Sequence, residues 1–234
     1  MKLGIIGGMG PLATAELFKR IVCRTDAAKD QQHLNVLINN NTDIPDRTAY
    51  VLGDGVDPTP ELIKTAQSLE KMGADFLAMP CNTAHVFYKA IQHKVQIPII
   101  NMIDETCKLI TNNFPDGTGV GILATDGTIS SKVYHEALFR YGHKSHSLDA
   151  NCQQYIMDVI YNIKAGKIPK SQEKFQSCVN QLFSQGVKPV ILGCTELSIL
   201  KEHFNLQYPF IDPLDVLTMS ILNYAKIDIK PINR

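Results

Sequence analysis

The sequence carries no net surplus of one charge: 23 basic and 23 acidic residues leave the chain formally neutral. A neutral chain creates no field that gathers nucleic acid, and no basic stripe suited to a phosphate backbone runs through it. The same balance offers nothing to acidic membrane surfaces. Long apolar runs are missing too, since none approaches the roughly 20 residues that span a bilayer. The N-terminus, Met1-Lys2-Leu3-Gly4-Ile5-Ile6, enters strand-like sequence at once and leaves no room for a signal peptide. A soluble, cytoplasmic protein is expected, with no nucleic-acid or membrane partner.

Paired cysteines are also absent. The six cysteines, at positions 23, 81, 107, 152, 178 and 194, include no C-x-x-C pair and no zinc-finger grouping with histidine. His33, His93, His135, His143, His146 and His203 show no ligand spacing. No lysine stands out as a pyridoxal anchor, so neither metal nor organic cofactor is expected. Cys23, Cys107 and Cys178 fall among apolar neighbours in helical sequence and read as packing residues, as does Cys152 near a helix start.

What is present is alternation. Across 234 residues, short apolar runs take turns with helical periods, the pattern of parallel strands and crossover helices. Strands are predicted at 3–7, 35–38, 75–79, 97–100, 119–123, 189–192 and 208–211. Helices are predicted to start near Leu12, Pro60, Thr83, Asp104, Ser130, Gln153, Ser171, Thr195 and Pro213. The second half echoes the first: Gly4-Ile5-Ile6 resembles Gly121-Ile122-Leu123, and Pro98-Ile99-Ile100 before Asp104 resembles Pro209-Phe210-Ile211 before Asp215. The expected fold is therefore α/β, with two pseudo-twofold-related halves, parallel-rich sheets and a cleft between them. The boundaries read as 1–98, 99–212 and a C-terminal helix at 213–234 packing back on the first half. Asn112-Asn113-Phe114-Pro115-Asp116-Gly117 is the clearest linker.

Two cysteines occupy matching settings. Cys81 closes Phe76-Leu77-Ala78-Met79-Pro80-Cys81, and Cys194 closes Pro189-Val190-Ile191-Leu192-Gly193-Cys194; helical sequence follows each. The carboxyl end of a parallel strand is where open α/β sheets hold their chemistry. A helix N-terminus beside a thiol favours the thiolate. Two such thiols across one cleft suit a reaction that removes a proton from one face of a carbon and returns it to the other. His85, one helical turn beyond Cys81, is positioned to tune that thiol or simply to pack; Glu196 suits the first turn after Cys194.

Gly7-Gly8-Met9-Gly10-Pro11 follows the first strand. It formally matches a dinucleotide fingerprint, but the second strand ends in Asn39-Asn40-Asn41 and not in an acidic residue for a ribose. A tight turn with N–H groups facing a small anion fits better, beside the plain alternative of a structural turn.

These motifs, with Asp46-Arg47-Thr48, Pro80-Cys81-Asn82-Thr83-Ala84-His85, Lys164-Ala165-Gly166 and Gly193-Cys194-Thr195-Glu196-Leu197, resemble the aspartate/glutamate racemase family, and its aspartate racemase branch in particular. Glutamate racemases usually follow the second Cys-Thr with His, where this chain has Glu196. The resemblance implies a cofactor-independent racemase, a homodimer, acting on a dicarboxylic amino acid with Cys81 and Cys194 as catalytic residues. It implies that Arg47 and Lys164 grip the side-chain carboxylate, and that Met9, Asn82, Thr83, Ala84, Thr125 and Thr195 belong to the substrate site. His85 and Glu196 are implied to stand behind the thiols. Glutamate or a broader range of amino acids is an open alternative, as are a thiol-dependent decarboxylase or isomerase of dicarboxylates and a non-enzymatic anion sensor.

Serine is far too weak a base at neutral pH to replace a thiolate. Cys81→Ser and Cys194→Ser should each abolish net racemisation, measured by chiral product assay, whereas Cys107→Ser and Cys178→Ser should alter stability at most. Near-normal turnover in either of the first pair contradicts the two-thiol reading.

Overall fold

A computed structural model describes residues 1–231. The first part runs β1 (Lys2–Gly7), α1 (Pro11–Arg24), β2 (Asn35–Asn40), α2 (Arg47–Leu52), α3 (Thr59–Lys71), β3 (Phe76–Ala78), α4 (Tyr88–Gln92) and β4 (Ile99–Ile100). Then come α5 (Met102–Asn113), β5 (Gly119–Ala124), α6 (Asp126–Ser130), α7 (Val133–Arg140), β6 (Lys144–His146) and α8 (Ala150–Lys164). The chain closes with α9 (Glu173–Ser184), β7 (Val190–Gly193), α10 (Thr195–His203), β8 (Phe210–Ile211) and α11 (Pro213–Tyr224).

Each group of four strands forms its own parallel sheet, in the orders β2-β1-β3-β4 and β6-β5-β7-β8. The identical order is the duplication that the repeated motifs imply. The central strands β1, β3, β5 and β7 are buried on both faces, which is why their sequences run apolar without alternation.

Four clusters of side chains form the core, two per sheet, and they show how the halves are joined. α5 follows β4 of the first sheet, yet Ile103, Cys107 and Ile110 pack with Val120, Ile122 and Tyr134 against the second. α11 follows β8 of the second sheet, yet Leu214, Leu217, Ile221 and Leu222 pack with Leu3, Ile5 and Leu17 against the first. Each sheet thus receives the other's last helix. Full burial of such side chains is worth roughly 1.5–3 kcal/mol apiece before entropy is counted. The two crossing helices start alike: Asn101 caps α5 and Asp212 caps α11, each side chain accepting backbone N–H groups of the first turn.

An ion cluster reinforces the exchange. Arg20 of α1 is 7% exposed and donates to Asp212 Oδ2 and Asp215 Oδ1 at 2.8 Å, to Glu202 Oε1 at 2.9 Å and to Glu16 Oε1 at 3.0 Å. Ser198 of α10 donates to the other oxygen of Asp212 at 2.9 Å. Burial and the neighbouring Asp212 raise the pKa of Asp215, against the pull of Arg20. The pseudo-symmetric counterpart, Arg140 of α7 with Asp104 of α5 at 3.0 Å, is a single exposed pair.

Several expectations need correction. The boundary after residue 98 falls just before β4, and β4 closes the first sheet by pairing with β3. The last residues of the expected 213–234 segment, 232–234, lie outside the described residues. The helix expected to start near Ser130 begins at Val133 as α7, and an unexpected short helix, α6, precedes it, the two separated by Lys132 in a left-handed conformation. Cys23 is exposed on the outer face of α1, whereas Cys107 and Cys178 are buried. No helix of the described residues is long and apolar enough to cross a membrane.

Removing Arg20 strands a buried carboxylate at Asp212. Arg20→Met should lower unfolding free energy by about 3–5 kcal/mol in a urea titration, and Arg20→Lys should recover only part of it because an ammonium cannot reach all four carboxylates. A loss below about 1 kcal/mol, the range of surface pairs, contradicts this.

Candidate active site

Cys81 and Cys194 come from equivalent places in the two sheets, just beyond β3 and β7. Cys194 is the N-cap of α10; Cys81 precedes a 3₁₀ turn at Thr83–Phe87. Both border one small cavity of about 20 Å³, which on that measure has room for about one water. Met9, Arg47, Asn82, Thr83, Thr125, Lys164, Thr195 and Glu196 line it as well, so the structure brings these sequence-predicted residues together. Asp46, Thr48, Ala13, Pro80 and Gly193 complete the wall. Larger depressions of about 290 and 520 Å³ lie elsewhere and include neither thiol.

Ala84 and His85 are not in the wall. Ala84 is fully buried in the core. His85 Nε2 lies 3.1 Å from the Met102 backbone N–H, which can only donate, so Nδ1 carries the ring proton and donates to the Cys81 carbonyl at 2.8 Å. The imidazole therefore braces the backbone of Cys81 against the start of α5 and does not touch the thiol. Burial brings its pKa down to about 4, against the opposing effect of the Cys81 carbonyl.

The settings of the two thiols differ. Cys194 Sγ donates to Glu196 Oε2 at 2.8 Å, and Glu196 is itself 5% exposed. Burial and the Glu196 carboxylate hold the Cys194 pKa well above the ordinary thiol value, outweighing Lys164. This reverses the expectation that the helix terminus would favour its thiolate. Lys164, the last residue of α8, lies over the Tyr161 ring at 5.1 Å. Desolvation works against its charge, but Cys194, Glu196 and Cys81 hold its pKa above the usual lysine value.

Arg47 opens α2, a six-residue helix capped by Asp46 and absent from the predicted elements. Its Nη1 donates to the Ile44 and Pro45 carbonyls at 3.3 and 3.0 Å. Its Nε is buried with no acceptor among the described residues. The guanidinium is thus anchored by one corner, while its Nε edge remains available to a carboxylate. α2 sits close to the second half because Gly127 permits it: a Cβ there would lie 2.7 Å from Thr48 Cα.

The hydroxyls are mostly committed. Thr83, Thr125 and Thr128 form a closed triangle with edges of 3.2, 2.8 and 3.1 Å. Thr195 Oγ1 donates to the Pro80 carbonyl at 3.2 Å. In the glycine loop, Gly8 N–H turns inward to Thr14 Oγ1 at 3.0 Å, so this donor is not offered to an anion. Gly8 has φ of +92°, and a Cβ there would meet the Asn41 carbonyl oxygen at 2.1 Å. Asn82, predicted, and Tyr134, which carried no sequence signal beyond its place in a helix, share a 2.6 Å bond between the halves. Among the described residues no three His, Cys, Asp or Glu side chains group as metal ligands.

The profile of one family, Asp/Glu/Hydantoin racemase, matches residues 6–221. The chain is similar to the broad specificity amino-acid racemase RacX of Bacillus subtilis (strain 168), 29% identical across 94% of this chain and 96% of that protein. A glutamate racemase of Lysinibacillus sphaericus is 28% identical across 68% of this chain and 63% of its own length. Among solved structures, the aspartate racemase of Picrophilus torridus superposes with a TM-score of 0.85 at 28% identity, covering 98% of this chain and 96% of that one.

His85 ties the site to stability. Its folded pKa, near 4, lies below the unfolded value of about 6.5, so its contribution is complete above about pH 6.5 and is lost as pH falls toward 4. That loss is on the order of 3 kcal/mol. His85→Gln should flatten this part of the stability–pH curve in urea titrations; an unchanged slope between pH 6.5 and 4 contradicts the assignment.

Proposed function

We propose that this chain, which belongs to the Asp/Glu/hydantoin racemase family, interconverts L- and D-aspartate with Cys81 and Cys194 as the paired acid and base. Family membership makes it an amino-acid racemase and hence an isomerase; aspartate is the finer reading. The observation that carries it is the pairing of two strand-end thiols in one cavity with an arginine whose buried Nε has no acceptor among the described residues.

In this reading Cys194 rests as the thiol, its proton directed at Glu196. Substrate binds with Cα between the sulfurs. For one enantiomer Cys81, as thiolate, removes the Cα proton and Cys194 delivers its own to the opposite face. That turnover leaves Cys81 as the thiol and Cys194 as the thiolate, the form in which Cys194 is the base and Cys81 the acid for the other enantiomer. The carbanion is stabilised by hydrogen bonds from the strand-end turns and by the nearby Lys164 charge. Arg47 and Lys164 hold the side-chain carboxylate, and Asn82 receives the α-carboxylate, together with Thr83 and Thr125 once their hydroxyls turn out of the triangle with Thr128. A cavity sized for one water must open to admit any amino acid and close again around it. Closure excludes water and strengthens the field on the thiols.

The aspartate reading is favoured by likeness to the Picrophilus protein over nearly the whole chain, and a broad-specificity reading by likeness to the Bacillus protein. The Arg47 fork separates them. Arg47→Ala should lower kcat/KM for aspartate on the order of a hundredfold, as expected for breaking a buried charged pair, while activity on alanine stays roughly constant. Arg47→Lys should rescue little, since a point charge cannot supply the bidentate geometry. The measurement is the aspartate-to-alanine ratio of kcat/KM in wild type and variant. An unmoved ratio removes Arg47 from the carboxylate site and favours broad specificity.

A further inference from the structure

The duplicated cysteine motifs differ in the donors they leave open. Thr195, beside Cys194, has its hydroxyl proton on the Pro80 carbonyl. Asn82, beside Cys81, accepts a 2.6 Å hydrogen bond at Oδ1 from the Tyr134 hydroxyl. An amide carries its oxygen and its NH₂ on opposite branches. With Oδ1 held toward Tyr134, Nδ2 is the branch left for the cavity that Asn82 borders. Among the described residues no acceptor takes a hydrogen bond from that Nδ2.

Tyr134 is suited to hold this orientation. It is 0% exposed on α7 of the second half, and burial keeps its phenol protonated far above the ordinary tyrosine range. Thr106, a polar neighbour, already donates to the Met102 carbonyl at 2.7 Å. The phenol is a permanent donor directed at one atom of Asn82.

We propose that Tyr134 is a positioning residue for substrate: it locks the Asn82 amide with its NH₂ toward the cavity, so that the α-carboxylate meets an N–H donor and not the amide oxygen. The inference rests on the racemase reading for the identity of the carboxylate. Without the hydroxyl, Oδ1 has lost its buried donor, and the amide turns about its Cβ–Cγ bond to carry that oxygen toward the cavity, which leaves the productive orientation the minor state. In the turned state Oδ1 would face the carboxylate, acceptor against acceptor. Binding must then select the productive rotamer, which weakens affinity while leaving the thiols untouched.

The test is a double-mutant cycle of Tyr134→Phe and Asn82→Ala in the full chain, with KM, kcat and thermal midpoints measured for L- and D-aspartate. Tyr134→Phe should raise KM about tenfold, the scale of one hydrogen bond to a charged group. It should change kcat by less than about threefold, the signature of lost uniform binding. In the Asn82→Ala background the same change should raise KM less than about twofold, because the cycle isolates action through the amide. The fall in thermal midpoint should likewise be smaller in the Asn82→Ala background, where the phenol has already lost its acceptor. An equal rise in KM in both backgrounds, or none in the wild-type background, overturns the proposal. A second measurement does not depend on activity: the side-chain ¹⁵N order parameter of Asn82 should be high in wild type and drop in Tyr134→Phe. An unchanged order parameter also overturns the lock. If the wild type racemises no amino acid, the racemase reading fails, and the order parameter still decides whether Tyr134 holds the amide.

Discussion

The exchange of α5 and α11 between the sheets is the constraint on which the rest of the molecule depends. Neither sheet can cover both of its apolar faces with helices from its own strands. Val120, Ile122 and Tyr134 are covered by the helix that leaves β4, and Leu3, Ile5 and Leu17 by the helix that leaves β8. Separating the halves would expose both faces at once, so burial itself fixes the pseudo-twofold. That symmetry turns the carboxyl ends of β3 and β7 toward a common space. The thiols meet across the cavity because the cores demand it.

Symmetry of scaffold does not extend to chemistry. Arg20 and Asp212 form the buried centre of a cluster of four carboxylates whose Glu202 and Asp215 reach solvent, while the counterpart at Arg140 is one exposed pair. This anchors α10, and with it Cys194, more firmly across the seam than the corresponding contact on α5. Cys194 has a carboxylate partner in Glu196, whereas Cys81 is braced through its backbone by His85. The duplicated fold thus leaves its two thiols in unequal settings. That inequality suits a reaction in which one sulfur starts with a proton and the other without.

Much of this was legible in the amino-acid order. Strands β1, β3, β5 and β7 declare themselves because burial on both faces leaves only apolar residues, and the two cysteine motifs mark their ends. β6 was illegible because Lys144-Ser145-His146 sits at a sheet edge and alternates nothing. α2 was hidden because its six residues are held by an Asp46 cap and by the close approach at Gly127, neither of which is a periodic signal. The side-chain environment of Cys194 was misread for a related reason. A helix terminus is visible in sequence, but the burial of Glu196 against the sulfur is not, and burial dominates the thiol's proton affinity. Cys23 looked like a core residue, yet α1 turns it outward. Tyr134 is the clearest case of information held only in three dimensions, since its partner lies 52 residues away in the other half.

The account stands or falls on two bases acting from opposite faces of one carbon. The most direct measurement is racemisation in deuterium oxide, started separately from protiated L- and D-aspartate and followed at early conversion by chirality and mass. Two thiols on opposite faces predict that the newly formed enantiomer carries one deuterium at Cα while the remaining starting enantiomer stays protiated, in both directions. Deuterium entering the starting enantiomer as fast as inversion occurs, as a single base serving both faces would produce, would contradict the account.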